Sequence, residues 1–259
     1  MRLLAIGDVF GRPGRRAVRD LLPGLRDELK LDLVVANGEN AAGGKGLTPA
    51  TAEELLHAGV DVITSGNHIW HERDIVPYLG QNVPVLRPLN YPAGVPGRGH
   101  LILDLGARGQ ALVVNLCGRI SLLELDCPFR AVDHLLEGLT SRPVITIVDM
   151  HAEATSEKVA MGWYLDGRAS VVVGTHTHVP TADARILPRG TAYVSDLGMV
   201  GPRDSVIGVT IEPIIQHFLT RMPARFDVAE GPIVFNSVYV EIDDATGQAR
   251  LIQRVDRSL

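Results

Sequence analysis

The sequence is poor in cysteine, in aromatic residues and in long apolar runs, and each shortage narrows what the chain can be. Two cysteines, Cys117 and Cys127, among 259 residues do not make a disulfide scaffold. No apolar run approaches the roughly 18 residues that a membrane helix needs. Positive charge is not in excess: 25 basic against 30 acidic residues give a net charge of −5. That removes any global attraction toward nucleic acid or an anionic membrane and leaves only local basic segments such as Arg12 to Arg19. The opening Met1-Arg2-Leu3 enters a strand without signal-peptide organisation, so a cytoplasmic location is expected. Internal repeats, heptads and low-complexity linkers are missing, as are a dinucleotide fingerprint, a Walker lysine pattern and a convincing Ser-His-Asp or Cys-His arrangement. With 46% hydrophobic side chains the chain can still bury a substantial core, and one domain over residues 1–259 is expected.

What is present is a regular alternation. Short apolar runs bounded by Gly, Pro or Asn alternate with helix-period segments, the pattern of a mainly parallel sheet with helices on both faces. Arg15 to Leu22 and Leu25 to Leu29 read as helical, with a break or kink at Pro23. Thr48 caps a helix running from Pro49 to Ala58, which Gly59 ends. Further helices are expected over Pro128 to Leu139, Ser156 to Tyr164 and Pro213 to Leu219. After Asn90 the texture changes. Tyr91 to Gly99 reads as loop, and strands follow at Leu101 to Leu105 and Ala111 to Leu116 about a turn at Gly106 to Gly109. At the carboxyl end Val234 to Ile242 and Arg250 to Val255 flank the turn signal Asp243 to Gly247. These paired strands predict a second, partly antiparallel sheet packed against the first.

Five strand-like runs end in a restricted set of side chains. Leu3 to Gly7 leads into Asp8, Leu33 to Gly38 into Glu39 and Asn40, and Val60 to Gly66 into Asn67 and His68. Two later runs lead into His151 and into His176-Thr177-His178. In layered α/β folds the carboxyl ends of buried strands converge on one edge of the sheet, where ligands sit, so these residues should meet. Imidazole nitrogen with carboxylate and amide oxygen suits borderline divalent metals such as Zn, Mn, Fe or Co. Singly, each residue has a plainer explanation: Asp8 or Asn67 as a turn residue or helix cap, His176 and His178 as neighbours on one side of a strand end. Five ordered ends carrying compatible ligands favour metal binding for the set. Gly43, Gly44, Lys45 and Gly46 follow directly and can bring bare backbone and a positive charge to a phosphate. Asp149 and Glu153 flank His151 as candidate orienters of its ring, beside ordinary strand-end and helix-start roles. His57, His134 and His217 fall in helical segments and read as surface or core residues, while His71 and His100 carry no assignment.

The order of these blocks, Gly7-Asp8, Gly38-Glu39-Asn40, Gly66-Asn67-His68, His151 and Gly174-x-His176-x-His178, resembles that of the calcineurin-like metallophosphoesterases. The longer stretches Glu39 to Gly44, His151 to Lys158, His176 to Asp183 and Asp196 to Pro202 resemble the small bacterial YmdB-like subgroup, over nearly the whole chain. The resemblance implies an α/β fold, a single metallophosphoesterase domain built as a four-layered αββα sandwich of two packed mixed β-sheets flanked by helices. It implies two divalent or mixed-valence metal ions, Fe or Mn foremost, with Zn or Co as alternatives. Asp8, Glu39, Asn40 and His178 would hold one, and Glu39, Asn67, His151 and His176 the other, with Glu39 bridging. The family usually opens with Asp-x-His, whereas the third position here is Phe10, so one metal loses an imidazole; Glu39 also stands where Asp is usual.

The implied reaction is phosphodiester hydrolysis by a metal-bridging hydroxide, with His68 as proton donor to the departing alkoxide. The implied substrates are cyclic nucleotides, 2′,3′-cyclic AMP especially, with weaker action on monoesters. The expected partner is thus a small-molecule phosphoester. RNA finds no support in the net charge, no membrane partner is expected, and a homo-oligomer is compatible with exposed carboxyl-terminal strands. Two other readings compete. A regulatory RNA-associated protein would need Arg12 to Arg19 to form one exposed stripe. A metal-stabilised interaction protein without turnover would suit the loss of histidine at Phe10, but an intact His68 argues for catalysis.

Overall fold

The computed structural model describes residues 1–259. Two large sheets form its frame. In the first, of five strands, Arg2–Ile6 lies between Leu33–Asn37 and Ser237–Ile242, with Val62–Thr64 and Ala249–Arg254 at the edges. Its three amino-terminal strands run parallel, and the carboxyl-terminal hairpin joins them antiparallel. The second, of six, is ordered His100–Asp104, Gln110–Cys117, Ile145–His151, Val171–Thr175, Ala192–Val194, Arg185–Ile186. Its four central strands are parallel and both edge strands antiparallel. Both sheets are therefore mixed, and the two hairpins expected to share a second sheet divide between them.

Side chains alternate across a strand, so each strand can feed two buried layers. Leu3, Ala5, Leu33 and Val35 of one sheet meet Val113, Ile145, Ile147, Val171 and Val173 of the other. On the outer faces, Leu4, Ile6, Val34 and Ile63 pack on Val18, Leu22 and Leu55 of the helices Gly11–Leu29 and Pro49–His57. Leu112, Val148, Met150 and Val172 pack on Val132, Leu136, Met161 and Leu165 of Pro128–Gly138 and Thr155–Leu165. The layers are αββα, as the resemblance implies. The runs are apolar throughout because each sheet has helices on one face and the partner sheet on the other, not helices on both. Each fully buried large side chain contributes roughly 1.5–3 kcal/mol, which fixes the register of both sheets.

Three elements differ from the sequence expectation. Gly11–Leu29 is one unbroken helix with Pro23 inside it, ended by Lys30 in the left-handed conformation. A proline in a helix interior costs about 3 kcal/mol, which burial of Ala17, Val18, Leu22 and Leu25 along one face outweighs. The expected strand Val234 to Ile242 is broken at Asn236. Its first half, Ile233–Phe235, belongs to a third, four-stranded sheet with Asp8–Val9, Met199–Pro202 and Arg257–Ser258. A short helix, Ile75–Leu79, lies where none is expected. The Thr48 cap is as expected: its hydroxyl accepts from Thr51 N at 3.2 Å, and Thr51 Oγ1 accepts from Thr48 N at 3.0 Å. Register then aligns the strand ends, Asn37 beside Thr64 and His151 beside Thr175, so the loops that follow open on one edge. No helix is long and apolar enough to cross a membrane.

Candidate metal centre

All eight residues singled out at the strand ends come together at that edge. Asp8, Glu39 and His151 are wholly buried, Asn40 and His178 nearly so, and His68 keeps 27% of its side chain exposed. One ligand atom from each of Glu39, His151 and His176 lies within 4.8 Å of the other two. His151 Nε2 is 3.2 Å from Glu39 Oε1 and 3.0 Å from Asn67 Oδ1, and it faces His176 Nδ1 at 3.1 Å. On the other side His178 Nε2 stands 3.8 Å from Asp8 Oδ1 and 3.1 Å from Asn40 Nδ2. Glu39 lies between the two groups, as a bridging carboxylate must. The backbone makes room for this crowding. A Cβ on Gly66 would fall 2.1 Å from His151 Cδ2 and 2.4 Å from Glu39 Oε2, so only glycine fits there. His176 and His178 have φ of 98° and 67°, a conformation rare for residues with a side chain and characteristic of over-determined functional loops.

Hydrogen bonds behind the imidazoles decide which nitrogen each presents. His151 Nδ1–H donates to Thr175 Oγ1 at 2.9 Å, and that hydroxyl donates to Asp149 Oδ1 at 2.7 Å. Asp149 is itself held by Thr64 Oγ1 at 2.5 Å and Asn37 Nδ2 at 3.1 Å. His178 Nδ1–H donates to Ile207 O at 2.8 Å, and His176 Nε2 faces Glu153 Oε2 at 3.1 Å. Asp149 thus acts on His151 through Thr175, whereas Glu153 orients His176 and not the His151 it neighbours in sequence. The remaining nitrogens, His151 Nε2, His176 Nδ1 and His178 Nε2, turn inward, where each can offer a lone pair to a cation, His151 after giving up its second proton. Asn40 departs from the expected pose. Its Oδ1 accepts from His68 Nδ1 at 2.9 Å while its Nδ2 faces Glu39 and His178, so ligation through oxygen requires the amide to turn over.

The electrostatics fit a cation. Burial pushes the Asp8 carboxyl well above its ordinary range, with Asp196 and Glu39 adding like charge, and its Oδ1 has no hydrogen-bond partner. Burial opposes ionisation of Glu39 too, but His151 and His68 hold it well below the usual range. Burial would discharge His151, yet Glu39, Asp8 and Asp149 push it up to about 9. Burial and the charge on His151 bring His176 down to about 3, and burial lowers His178. Two buried carboxyl groups and three inward imidazole nitrogens are a donor set for a divalent metal of the Mn, Fe, Zn or Co type.

Gly43, Gly44 and Lys45 line the same cavity as Glu39 and the histidines, and Lys45 makes no ion pair, whereas Gly46 is not part of the lining. Phe10 leaves no gap where the wider family carries an imidazole. Its ring stands edge-on to His178 with centroids 5.5 Å apart, and it fills the space between the Gly44 and Gly208 loops, where a Cβ on Gly208 would lie 2.5 Å from it. Sequence reading missed Thr175, Thr64 and Asn37, whose roles depend on cross-strand pairing. It also missed the buried Lys158–Asp196 pair, 2.7 Å apart, in which Asp196 Oδ2 accepts from Thr177 N and Oγ1 and so braces the histidine loop.

Comparison with known proteins agrees with this architecture. The profile of the YmdB-like protein family matches residues 4–255. A 2′,3′-cyclic-nucleotide 2′-phosphodiesterase of Bacillus subtilis is 49% identical over 256 residues, covering 98% of this chain and 96% of the relative. A crystal structure of a hypothetical protein from Thermus thermophilus superposes with a TM-score of 0.94 at 46% identity, covering 100% of this chain and 99% of that one. The crystal structure of a Mycoplasma pneumoniae phosphatase does so with a TM-score of 0.94 at 34% identity, covering 100% and 93%. With the strand order, the donor set and the length of the match in agreement, the chain belongs to the YmdB-like protein family.

Proposed function

We propose that this chain is a phosphodiesterase of 2′,3′-cyclic nucleotides, opening the ester at the 2′ oxygen at a two-metal centre held by Asp8, Glu39, Asn40, Asn67, His151, His176 and His178. That it is a phosphoester-hydrolysing enzyme follows from its family and from relatives named for phosphodiesterase and phosphatase activity. The observation that carries the finer reading is convergence: Glu39, Asn40, His176 and His178 line one cavity together with His68, and Asp8, His151 and Asn67 extend the cluster behind them, at 3.8 Å from His178, 3.2 Å from Glu39 and 3.0 Å from His151 in turn. When bound, the metals supply Lewis-acid polarisation of a phosphoryl oxygen and a water acidic enough to be a nucleophile near neutral pH. The chain's own groups do the rest. Glu39 stays ionised between the two groups of imidazoles. Gly43, Gly44 and Lys45 offer backbone and charge to the phosphate. His68 Nδ1 has Glu39 Oε1 3.2 Å away, an acceptor that stays in place when Asn40 turns its Oδ1 from His68 toward the metal, which leaves Nε2 as the ring atom able to hand a proton to the leaving oxygen.

The test is a substrate panel. Protein loaded separately with Mn, Fe, Zn and Mg should hydrolyse 2′,3′-cyclic AMP to the 3′-nucleotide faster than it hydrolyses nucleotide monoesters or short RNA. A 2′-nucleotide product, or preference for monoesters with every metal, would overturn the proposal. In the basic segment of the alternative reading, Arg15 is tied to Glu54, and Arg16 and Arg19 both engage Asp20 at the surface.

The two metals should also differ in retention. The Glu39, His151 and His176 donors already sit close together, whereas the Asp8 side has one imidazole, Phe10 in place of a second, and an amide that must turn. Graded chelation should therefore empty the Asp8 side first, read as stepwise occupancy by mass spectrometry in the parent protein and in His178→Ala. Simultaneous loss from both sides would show that Asn40 compensates fully.

A further inference from the structure

We propose that the cavity holds a second, apolar subsite, a wall of Val209, Ile214, Phe218 and Phe226 that seats the nucleobase of a nucleoside phosphate by stacking. The inference deepens the proposed function, since it places the phosphate at the candidate metal centre.

The cavity measures about 560 Å³, within the range that encloses a small ligand. Its lining combines Glu39, Asn40, His68, His176 and His178 with the four wall residues, Val206 and Ile207. The chain has five phenylalanines, and three of them, Phe10, Phe218 and Phe226, line this one cavity. Phe218 is 65% exposed and Phe226 43%, and the helix Ile211–Thr220 that carries Phe218 has no buried residue. Large aromatic faces left open beside a phosphoryl site are what a base, with its own π-face, would cover.

The wall is also held at a fixed distance from the ligands. Ile207 has φ of 48°, an outlier for a β-branched residue, and its carbonyl is the acceptor that fixes His178 Nδ1–H. Phe226 packs edge-on against His217 with centroids 5.6 Å apart, and His217 Nδ1–H in turn donates to Met222 O at 2.8 Å. The four wall residues are apolar and meet the faces of a base, offering no partner for its edge. The seat therefore selects for the presence of a base, with purines ahead of pyrimidines by stacking area, and does not single out one base.

Binding tests the seat separately from turnover. In metal-loaded protein, Kd would be measured for adenosine 3′-monophosphate, cytidine 3′-monophosphate and ribose 5-phosphate, with kcat and KM for the corresponding 2′,3′-cyclic phosphates. Adenosine 3′-monophosphate should bind more tightly than the cytidine compound, and both more tightly than ribose phosphate. Phe218→Ala and Phe226→Ala should each weaken nucleotide binding roughly 5–100-fold, the range of single base–aromatic stacks, and raise KM with little change in kcat. Ribose phosphate should bind the variants as it binds the parent, and Phe218→Trp should restore the nucleotide. Equal affinity for nucleotide and ribose phosphate in the parent, or equal losses for both in the variants, would overturn the seat. So would a fall in oligomer size in Phe218→Ala with every ligand weakened alike, which would assign the wall to a second copy of this chain. If the seat binds as expected but cyclic phosphates are not hydrolysed with any metal, the proposed function fails and the subsite stands.

Discussion

Replacing Glu39 with alanine should remove metal from both sides of the centre and lower kcat/KM on every phosphoester by at least about 10³-fold, the scale of losing several kcal/mol of metal-ion catalysis. The reason is positional. Its Oε1 is 3.2 Å from His151 Nε2 and from His68 Nδ1, its Oε2 accepts the His68 backbone N–H at 3.1 Å, and Asn40 Nδ2, on the Asp8 side, donates to its Oε1 at 3.2 Å, so one carboxylate contacts residues of both groups. Each imidazole, by contrast, serves one side: His178→Ala should deplete the Asp8 side, and His151→Ala or His176→Ala the other. Because Glu39 is wholly buried beside His151, the alanine variant also leaves an uncompensated imidazole, and circular dichroism must show that it folds. Glu39→Gln keeps the volume and most hydrogen bonds and separates folding from ligation. Metal content per folded chain is the decisive quantity. Loss of a single ion, or retention of both with activity gone, would exclude a bridging role.

Much of this candidate site was legible because the residues proposed as its ligands are strand-end residues of unusual type. Asp8, Glu39, Asn67, His151 and His176 each follow a run that could only be a buried strand, and a buried strand has one carboxyl end. What orients the ligands was not legible. Thr64 and Thr175 look like ordinary β-formers, and only the register that sets Asn37 beside Thr64 and His151 beside Thr175 aims their hydroxyls at Asp149. Glu153 reads in the sequence as a candidate orienter of its near neighbour His151, beside a helix-start role, but it lies in the turn between the strand that ends at His151 and the helix that begins at Thr155, and its carboxylate reaches His176. The left-handed conformations at His176 and His178 left no mark, since sequence signals that backbone chiefly through glycine.

The same distinction between continuous and interrupted pattern applies to the fold. Period-two burial on both faces of Arg2–Ile6 and Leu33–Asn37 carries the four layers. The third sheet is built of strands of two to four residues, too short to show a period, and the break at Asn236 inside an apolar run is a tertiary event in which its carbonyl accepts from Gly7 N at 3.1 Å. The apolar wall escaped notice for a related reason. Ile211–Thr220 reads as any amphipathic helix until Ile214 and Phe218 are seen to line a cavity and none of its residues to be buried in the core.

His68→Ala should leave metal content unchanged and lower kcat/KM for 2′,3′-cyclic AMP on the order of 10²–10⁴-fold, the usual contribution of a general acid. The structure separates this residue from the ligands. Its Nδ1 lies against Asn40 and Glu39, its Nε2 has no protein partner, and its side chain keeps 27% exposure against 16% for His176, 6% for His178 and none for His151. A sugar alkoxide must gain a proton to depart, whereas a nitrophenolate leaves without one, so an activated aryl phosphodiester should lose far less in the same variant. Loss of Glu39 or His176 should instead impair both substrates alike, because polarisation of the phosphoryl group is common to both. His68→Gln bears on a second function. It can keep a hydrogen bond to Asn40, so recovery there would mean that the ring serves to hold Asn40 in place. The quantity to measure is the ratio of the two kcat/KM losses at matched metal occupancy. A ratio near one, or a metal missing from the variant, would make His68 a ligand or a positioning group and leave the leaving oxygen to take its proton from solvent.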